Sequence, residues 1–470
     1  MTRTPRRPSL SPLNPLGVLA VVLPLLTLLA GLLTDARVDD RTGPRPPATA
    51  DLVRATLVCP SGAGGVLLGT DGTASGPVRV TASRDDGRDG EGEEVDLAPG
   101  RLGSLPGAAT DAQVVLGEDD LAPGLFATRV GSPRLSAMDC PAPAADQWFT
   151  GVGAGATHRS VLELTNPDAG PAVASVQVLG GAGPVDAPRF QGIAVPGRGT
   201  VRLDLATLLP RRSQLALHVT SDRGRIAAAV LDTYDALGPT PASSDYLPGQ
   251  AAPAPTLWLL GLPGSAGGRV LSVANPGTDA VRVTLKLVTP DSVFTPSAAQ
   301  EIVVDPQTIA TVDLRSVLDT KAAADAFGVQ VNATGAVTAS LRSTAADDLA
   351  LTVPATVVSE ETRLALPPGD AQLEIAGSTG VGVVQVVGWT SSGRRAFSRS
   401  VELVPGNGVS LDLPAGVQSV SLTPERTTVR AAVRVSRAGT GRGSGTTVLP
   451  LRELVRRSLV PDVAPGLPRG

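Results

Sequence analysis

The segment from Trp148 to Asp204 recurs as Trp258 to Asp313, and this repeat constrains the fold more than any motif in the chain. Val161-Leu162 matches Val270-Leu271, Asn166-Pro167 matches Asn275-Pro276, and Asp204-Leu205 matches Asp313-Leu314, all at an offset of 109 residues. In both copies, VLELTNPDAGPAVASVQVL and VLSVANPGTDAVRVTLKLV alternate apolar and polar residues on either side of Asn-Pro. Period two marks half-buried antiparallel strands, and Asn-Pro suits the corner because proline fixes φ while asparagine bonds its own backbone. ATLLP and RSVLD predict a short helical turn in each copy. Two strands close each unit, Leu215 to Thr220 with Arg225 to Asp232, and Gly328 to Asn332 with Ala336 to Ser343.

A weaker copy follows in Gln372 to Ile375, VGVVQVVGW, Val409 to Leu413 and TTVRAAVRV. The most degenerate comes first, around Val66 to Leu68, Val78 to Val80 and Val95 to Leu97. The expectation is an all-β chain of four tandem immunoglobulin-like β-sandwiches, at 51–145, 146–250, 251–360 and 361–450. The 53 glycines and 42 prolines belong in turns and linkers, since either residue inside a helix is unfavourable. A helical solenoid lacks its 3.6-residue period, and a propeller its aromatic signature.

Residues 13–33 carry no charge and would form about 31 Å of helix, enough to span a bilayer. Arg3, Arg6 and Arg7 lie in a basic tail, 1–12, and Asp35, Asp39 and Asp40 follow the apolar stretch. That asymmetry predicts a single-pass signal anchor in the cytoplasmic membrane with the body outside. The alternative is a secreted protein released by cleavage at Thr34-x-Ala36. Residues 34–50 read as a Pro-rich spacer. At the other end, 451–470 reads as a tail whose Leu451, Leu454, Val455 and Leu459 predict one face of a short helix.

Cys59 and Cys140 are the only cysteines. In an exported body they predict one disulfide closing the first sandwich, because no second pair competes. With no CxxC and no nearby histidine they do not make a metal site, and no metal or cofactor is expected. Net charge is -4, and removing the three N-terminal arginines takes it to -7, which argues against a nucleic-acid partner.

The candidate chemistry is sparse. His158 and His218 are the two histidines, and an exported hydrolase would have to use one, yet no G-x-S-x-G elbow accompanies them. No catalytic residue is assigned. Asp85, Asp89 and Asp96 fall at calcium-loop spacings, but Gly87 occupies a ligand position and strands flank the segment. GVGAGA (Gly151 to Ala156) precedes a strand rather than a helix and reads as a loop, not a phosphate cradle. Trp148, Phe149, Trp258 and Trp389 are the aromatic residues for which interdomain contact or ligand binding is expected.

The early Cys-Pro, the D-C-P…W-F-x-G run from Asp139 to Gly151, and the LTNP…LDL…GRIAAAVLD course resemble an actinobacterial membrane-anchored envelope family of unknown function. Genes of that family typically lie near a large glycosyltransferase and sugar-nucleotide enzymes. The resemblance implies a cell-envelope polysaccharide role and carries over no catalytic residue. The expected function is therefore a non-catalytic structural or binding protein acting on an envelope protein or polysaccharide. An accessory subunit of an envelope glycosyltransferase is the second expectation.

Overall fold

The structure, a computed structural model, describes residues 19, 21–30, 48–85, 87, 92–106, 110–238, 241–264, 267–345, 348–439 and 444–460. It falls into two compact units, 1–50 with 458–470, and 51–457. Leu19 and residues 21–30 are helical. No helix among the described residues is long and apolar enough to cross a membrane. The rest of 13–33, like the spacer as far as residue 47, lies outside the described residues. Ala48–Asp51 pairs with Arg457–Val460 in a two-stranded sheet.

The unit 51–457 is all-β and built of sandwich modules. The first module has eight strands: Arg54–Cys59, Gly64–Thr70, Gly76–Ser83, Gly92–Leu97, Gly103–Leu105, Ala112–Glu118, Leu125–Gly131 and Ser136–Asp139. Numbered in chain order, they form one sheet in the order 1-6-3-4 and another in the order 5-2-7-8. The fourth module repeats this plan with Thr362–Ala365, Asp370–Ala376, Gly382–Trp389, Arg395–Leu403, Val409–Asp412, Ser419–Glu425, Arg430–Arg437 and Gly445–Pro450. The two modules with the least sequence likeness thus share one topology.

The middle modules keep the same pairings with two local changes. In the second, Asp146–Ala154 and His158–Thr165 meet at Ala154 and Arg159, which joins the two sheets into one of nine strands. In the third, strands six and seven run together as Gly328–Ala345. Its first part pairs with Ala254–Leu260 and Val281–Val288, and its second with Gly268–Asn275. The break expected between Asn332 and Ala336 is absent because one continuous strand serves both sheets. The helical turns expected at ATLLP and RSVLD are Leu205–Leu208 and Arg315–Leu318. In an immunoglobulin constant domain the first strand lies beside the second, whereas here it lies beside the sixth.

Alternation sends one face of every strand into a module core. In the second module Leu162 and Leu164 from one sheet meet Val176, Val178, Leu215 and Leu217 from the other, all essentially inaccessible. Each such side chain contributes about 1.5–3 kcal/mol of burial.

The modules pack head to tail. The 1-6-3-4 sheets of the second and third modules lie on the 5-2-7-8 sheet of the next module, the fourth returns onto the first, and the first meets the second through Ser61 with Glu163 and Ser83 with Thr200. A head-to-tail contact whose rotation closes generates a ring. Around the ring the four eighth strands, including Ser243–Leu247 and Asp348–Thr352, touch in cyclic order.

The tail departs from the helix expected of it. Leu451 to Arg456 has no regular structure, and Arg457–Val460 is a strand. A helix so short is marginal by itself, and the extended backbone finds partners on two modules. Leu451 N donates to Ala431 O at 2.9 Å, Gly124 N donates to Val455 O at 3.2 Å, and Leu52 N donates to Arg456 O at 2.9 Å.

Candidate functional site

Residues on the outer face of each first strand decide how its module meets the next. Phe149, which points inward, is fully buried in the second core. Its neighbour Trp148 points outward, 4% exposed, and packs with Leu179 and Ala216 against Ala274 and Ile309 of the third module. The Trp148 ring stacks on His218 at 4.2 Å between centroids, and His218 Nε2 lies 2.7 Å from Asp146. GVGAGA proves to be mostly strand rather than loop. Gly151, at φ +82°, sits at a bulge where any Cβ would come within 2.6 Å of Ser340 Oγ.

Trp258 repeats the arrangement one module on, with Gln330 opposite it where Trp148 has His218. It packs with Leu260 against Ala376, Ala432 and Val448 of the fourth module, and Arg430 lies 6.0 Å from its ring. At the fourth joint the outward residue is Arg363. Its guanidinium lies 4.8 Å from the ring of Trp389 and 5.5 Å from that of Phe126 in the first module, and donates to Gly100 O at 2.9 Å. Trp389 is half-buried and donates through Nε1 to Ser421 at 3.3 Å.

The first joint is polar. Glu163 accepts from Ser61 N at 2.9 Å and from Arg202 Nε at 3.0 Å, and Arg202 reaches back to Asp85 at 2.6 Å. Asp85 is therefore committed to an arginine, while Asp89 lies outside the described residues. Among the described residues no group of three His, Cys, Asp or Glu side chains could hold a metal ion.

Cys59 and Cys140 form the disulfide, with Cα atoms 4.5 Å apart. The bridge links the end of the first strand in one sheet to the residue after the eighth strand in the other.

His158 superficially offers a triad. Its Nε2 lies 2.9 Å from Asp232 Oδ1, and Ser160 donates to the same carboxylate. However, His158 Nδ1 is 3.1 Å from the Ser213 carbonyl, so both ring nitrogens are engaged. The serine bonds the aspartate rather than the histidine, and all three side chains are buried. A nucleophile needs a base in reach and a substrate in contact. This cluster is a satisfied buried hydrogen-bond network.

Two features escaped sequence reasoning because they depend on the ring. A cavity of about 490 Å³ opens where the intermodule linkers converge, lined by Leu52, Phe126, Leu454, Arg363, Arg452 and Asp139. Burial pushes the Asp139 carboxyl up to about 6, against the opposing pull of Arg452. At the third joint, Glu374 is wholly inaccessible, its carboxylate facing the Gly261 backbone N–H and the Arg434 guanidinium instead of solvent. Burial pushes it up to about 8, although Arg434 lies 3.6 Å away.

A profile of the family of unknown function DUF5719 matches residues 118–414, from the end of the first module into the fourth. The chain belongs to this family. The DUF5719 match spans the repeat at offset 109 and the three joints filled by Trp148, Trp258 and Arg363. No curated protein matches the chain. Among solved structures, this DUF5719 protein has a likeness to trypsin activated alpha-2-macroglobulin from Escherichia coli, at 11% identity and a TM-score of 0.11. That match covers 85% of this chain and 30% of the other, so the chain spans under a third of its length.

Proposed function

We propose that this DUF5719 protein is a non-catalytic scaffold of the cell envelope, held to the membrane through residues 13–33, whose variant immunoglobulin-like modules act through contacts with a polysaccharide or protein. The observation that carries this reading is the head-to-tail closure of four sandwiches, with buried apolar contacts at the Trp148 and Trp258 joints. A rigid ring with a disulfide at its first module suits an oxidising compartment and presents fixed surfaces, as a binding body requires. The actinobacterial envelope resemblance points to the same setting, with a glycosyltransferase as one protein such contacts would serve. The engagement of both His158 nitrogens favours this reading over a hydrolase.

The test is crosslinking of the full chain in membranes of the producing cells, followed by purification and analysis of attached protein and sugar. Recovery of an envelope protein or polysaccharide is expected. Recovery of the chain from the soluble fraction with nothing attached overturns the reading.

A further inference from the structure

The four joints are equivalent in topology but unequal in filling. Aromatic rings or stacked guanidinium groups occupy three: Trp148 at the second, Trp258 at the third, and Arg363 between Phe126 and Trp389 at the fourth. At the first joint the outward residues of the first strand are Arg54, Thr56 and Val58, and none is aromatic. The inner part of this joint is closed by Ser61 and Glu163 and by Ser83 with Thr200. Its outer part stands open as a cleft of about 670 Å³ between the first module's 1-6-3-4 sheet and the Pro167 to Ala169 turn of the second.

The floor of this cleft is a cross-strand row, Thr56, Leu116, Arg79 and Glu94, one residue from each strand of the sheet. Guanidinium and carboxylate groups alternate around it as pairs. Arg54 lies 2.5 Å from Glu118, Arg79 lies 3.9 Å from Glu94, and Arg225 donates to Asp168 at 2.8 Å. Held this way, each pair presents planar donors and acceptors side by side, the chemistry that engages neighbouring hydroxyls of a sugar. Among the described lining residues there is no tryptophan or tyrosine of the kind that anchors many protein interfaces. Four arginines, Arg54, Arg79, Arg198 and Arg225, line it with Glu94, Glu118 and Asp168, and a polyphosphate would have to displace those carboxylates from the guanidinium groups they already pair with, while the polar floor gives an acyl chain little to bury against.

We infer that the open first joint is a binding cleft for a glycan chain, the joint at which, among the described residues, no aromatic ring or stacked guanidinium group fills the space a ligand would take. This inference rests on the scaffold reading and names the ligand class for it.

The test uses the full chain in detergent, with the polysaccharide fraction extracted from the envelope of the producing cells as probe, read by affinity electrophoresis. Wild-type protein is expected to be retarded. Arg79→Ala is expected to weaken retardation at least tenfold. Gly92→Trp fills the cleft, since a Cβ there meets Arg79 and Thr81 at an ordinary 3.6 Å, and is expected to abolish retardation without lowering the melting temperature. Trp389→Phe, at the fourth joint, is expected to bind as wild type. Equal retardation of wild type, Arg79→Ala and Gly92→Trp overturns the cleft while leaving glycan binding elsewhere on the scaffold. No retardation of wild-type protein, with an envelope protein recovered by crosslinking, overturns the glycan and leaves the scaffold reading standing.

Discussion

Asn166 and Asn275, 109 residues apart, hold their turns with the same set of hydrogen bonds. Asn166 Nδ2 donates to Gly170 O at 2.7 Å and Pro196 O at 3.1 Å, while its Oδ1 accepts from Asp168 N at 3.0 Å. Asn275 Nδ2 donates to Asp279 O at 2.8 Å and Asp305 O at 3.2 Å, and its Oδ1 accepts from Gly277 N at 2.9 Å. Every partner is displaced by the same offset, and both side chains are wholly buried. Each asparagine ties the corner after its module's second strand to the loop before the fifth, Thr200–Asp204 in the second module and Thr308–Asp313 in the third.

Asn166→Ala and Asn275→Ala are therefore expected to destabilise their modules by similar amounts, about 2–3 kcal/mol each, because several buried backbone groups lose their partner. Chemical denaturation of the two variants checks this, and an effect at one site but not the other would contradict their equivalence.

Reducing the Cys59–Cys140 bridge opens a loop of 81 residues, for which chain entropy predicts a loss of about 4.5 kcal/mol. The loss is expected to fall first on the module containing the bridge. Hydrogen exchange in reductant is expected to accelerate across 54–140 before the Trp148 and Trp258 joints respond.

Glu374 and Asp139 both hold their protons to higher pH when folded than when unfolded. The folded state then binds more protons between the two pKa values, so stability is full below about 4, the unfolded range, and falls as pH rises toward 6 for Asp139 and 8 for Glu374. Melting temperature is expected to decline from pH 5 to pH 8. Glu374→Gln, which removes the larger titration, is expected to flatten that decline, and an unchanged slope would show that Glu374 is ionised in the fold.

Trp258→Ala is expected to destabilise the ring by about 3–5 kcal/mol, since a buried indole leaves a cavity between two modules. The measurement is thermal unfolding together with hydrogen exchange at Ala376 and Ala432, its neighbours across the joint. Slow exchange there despite the substitution would mean that the joint holds without its plug.

Much of this was legible in the chain itself. The offset of 109 carries the strand and turn pattern of the second and third modules, because Asn-Pro corners and period-two alternation are local properties. The disulfide was legible because only two cysteines exist. Three features were not. The continuous strand Gly328–Ala345 hides a sheet crossing that leaves no break in alternation. The extended tail carries a helix-like apolar spacing, yet its backbone is claimed by Ala431, Leu52 and Gly124. The cluster of His158, Ser160 and Asp232 unites residues up to 74 positions apart through pairing of His158–Thr165 with Ala227–Tyr234.

The repeated β pattern, its turns, the cysteine pair and the placing of the tryptophans at the starts of two repeats all follow from spacing along the chain. The pairing of the first strand with the sixth, the head-to-tail closure of the modules, and the plugging of joints by Trp148 and Trp258 while the first joint stays open emerge on folding. Those outcomes depend on which faces meet across distant segments. No local period encodes that meeting.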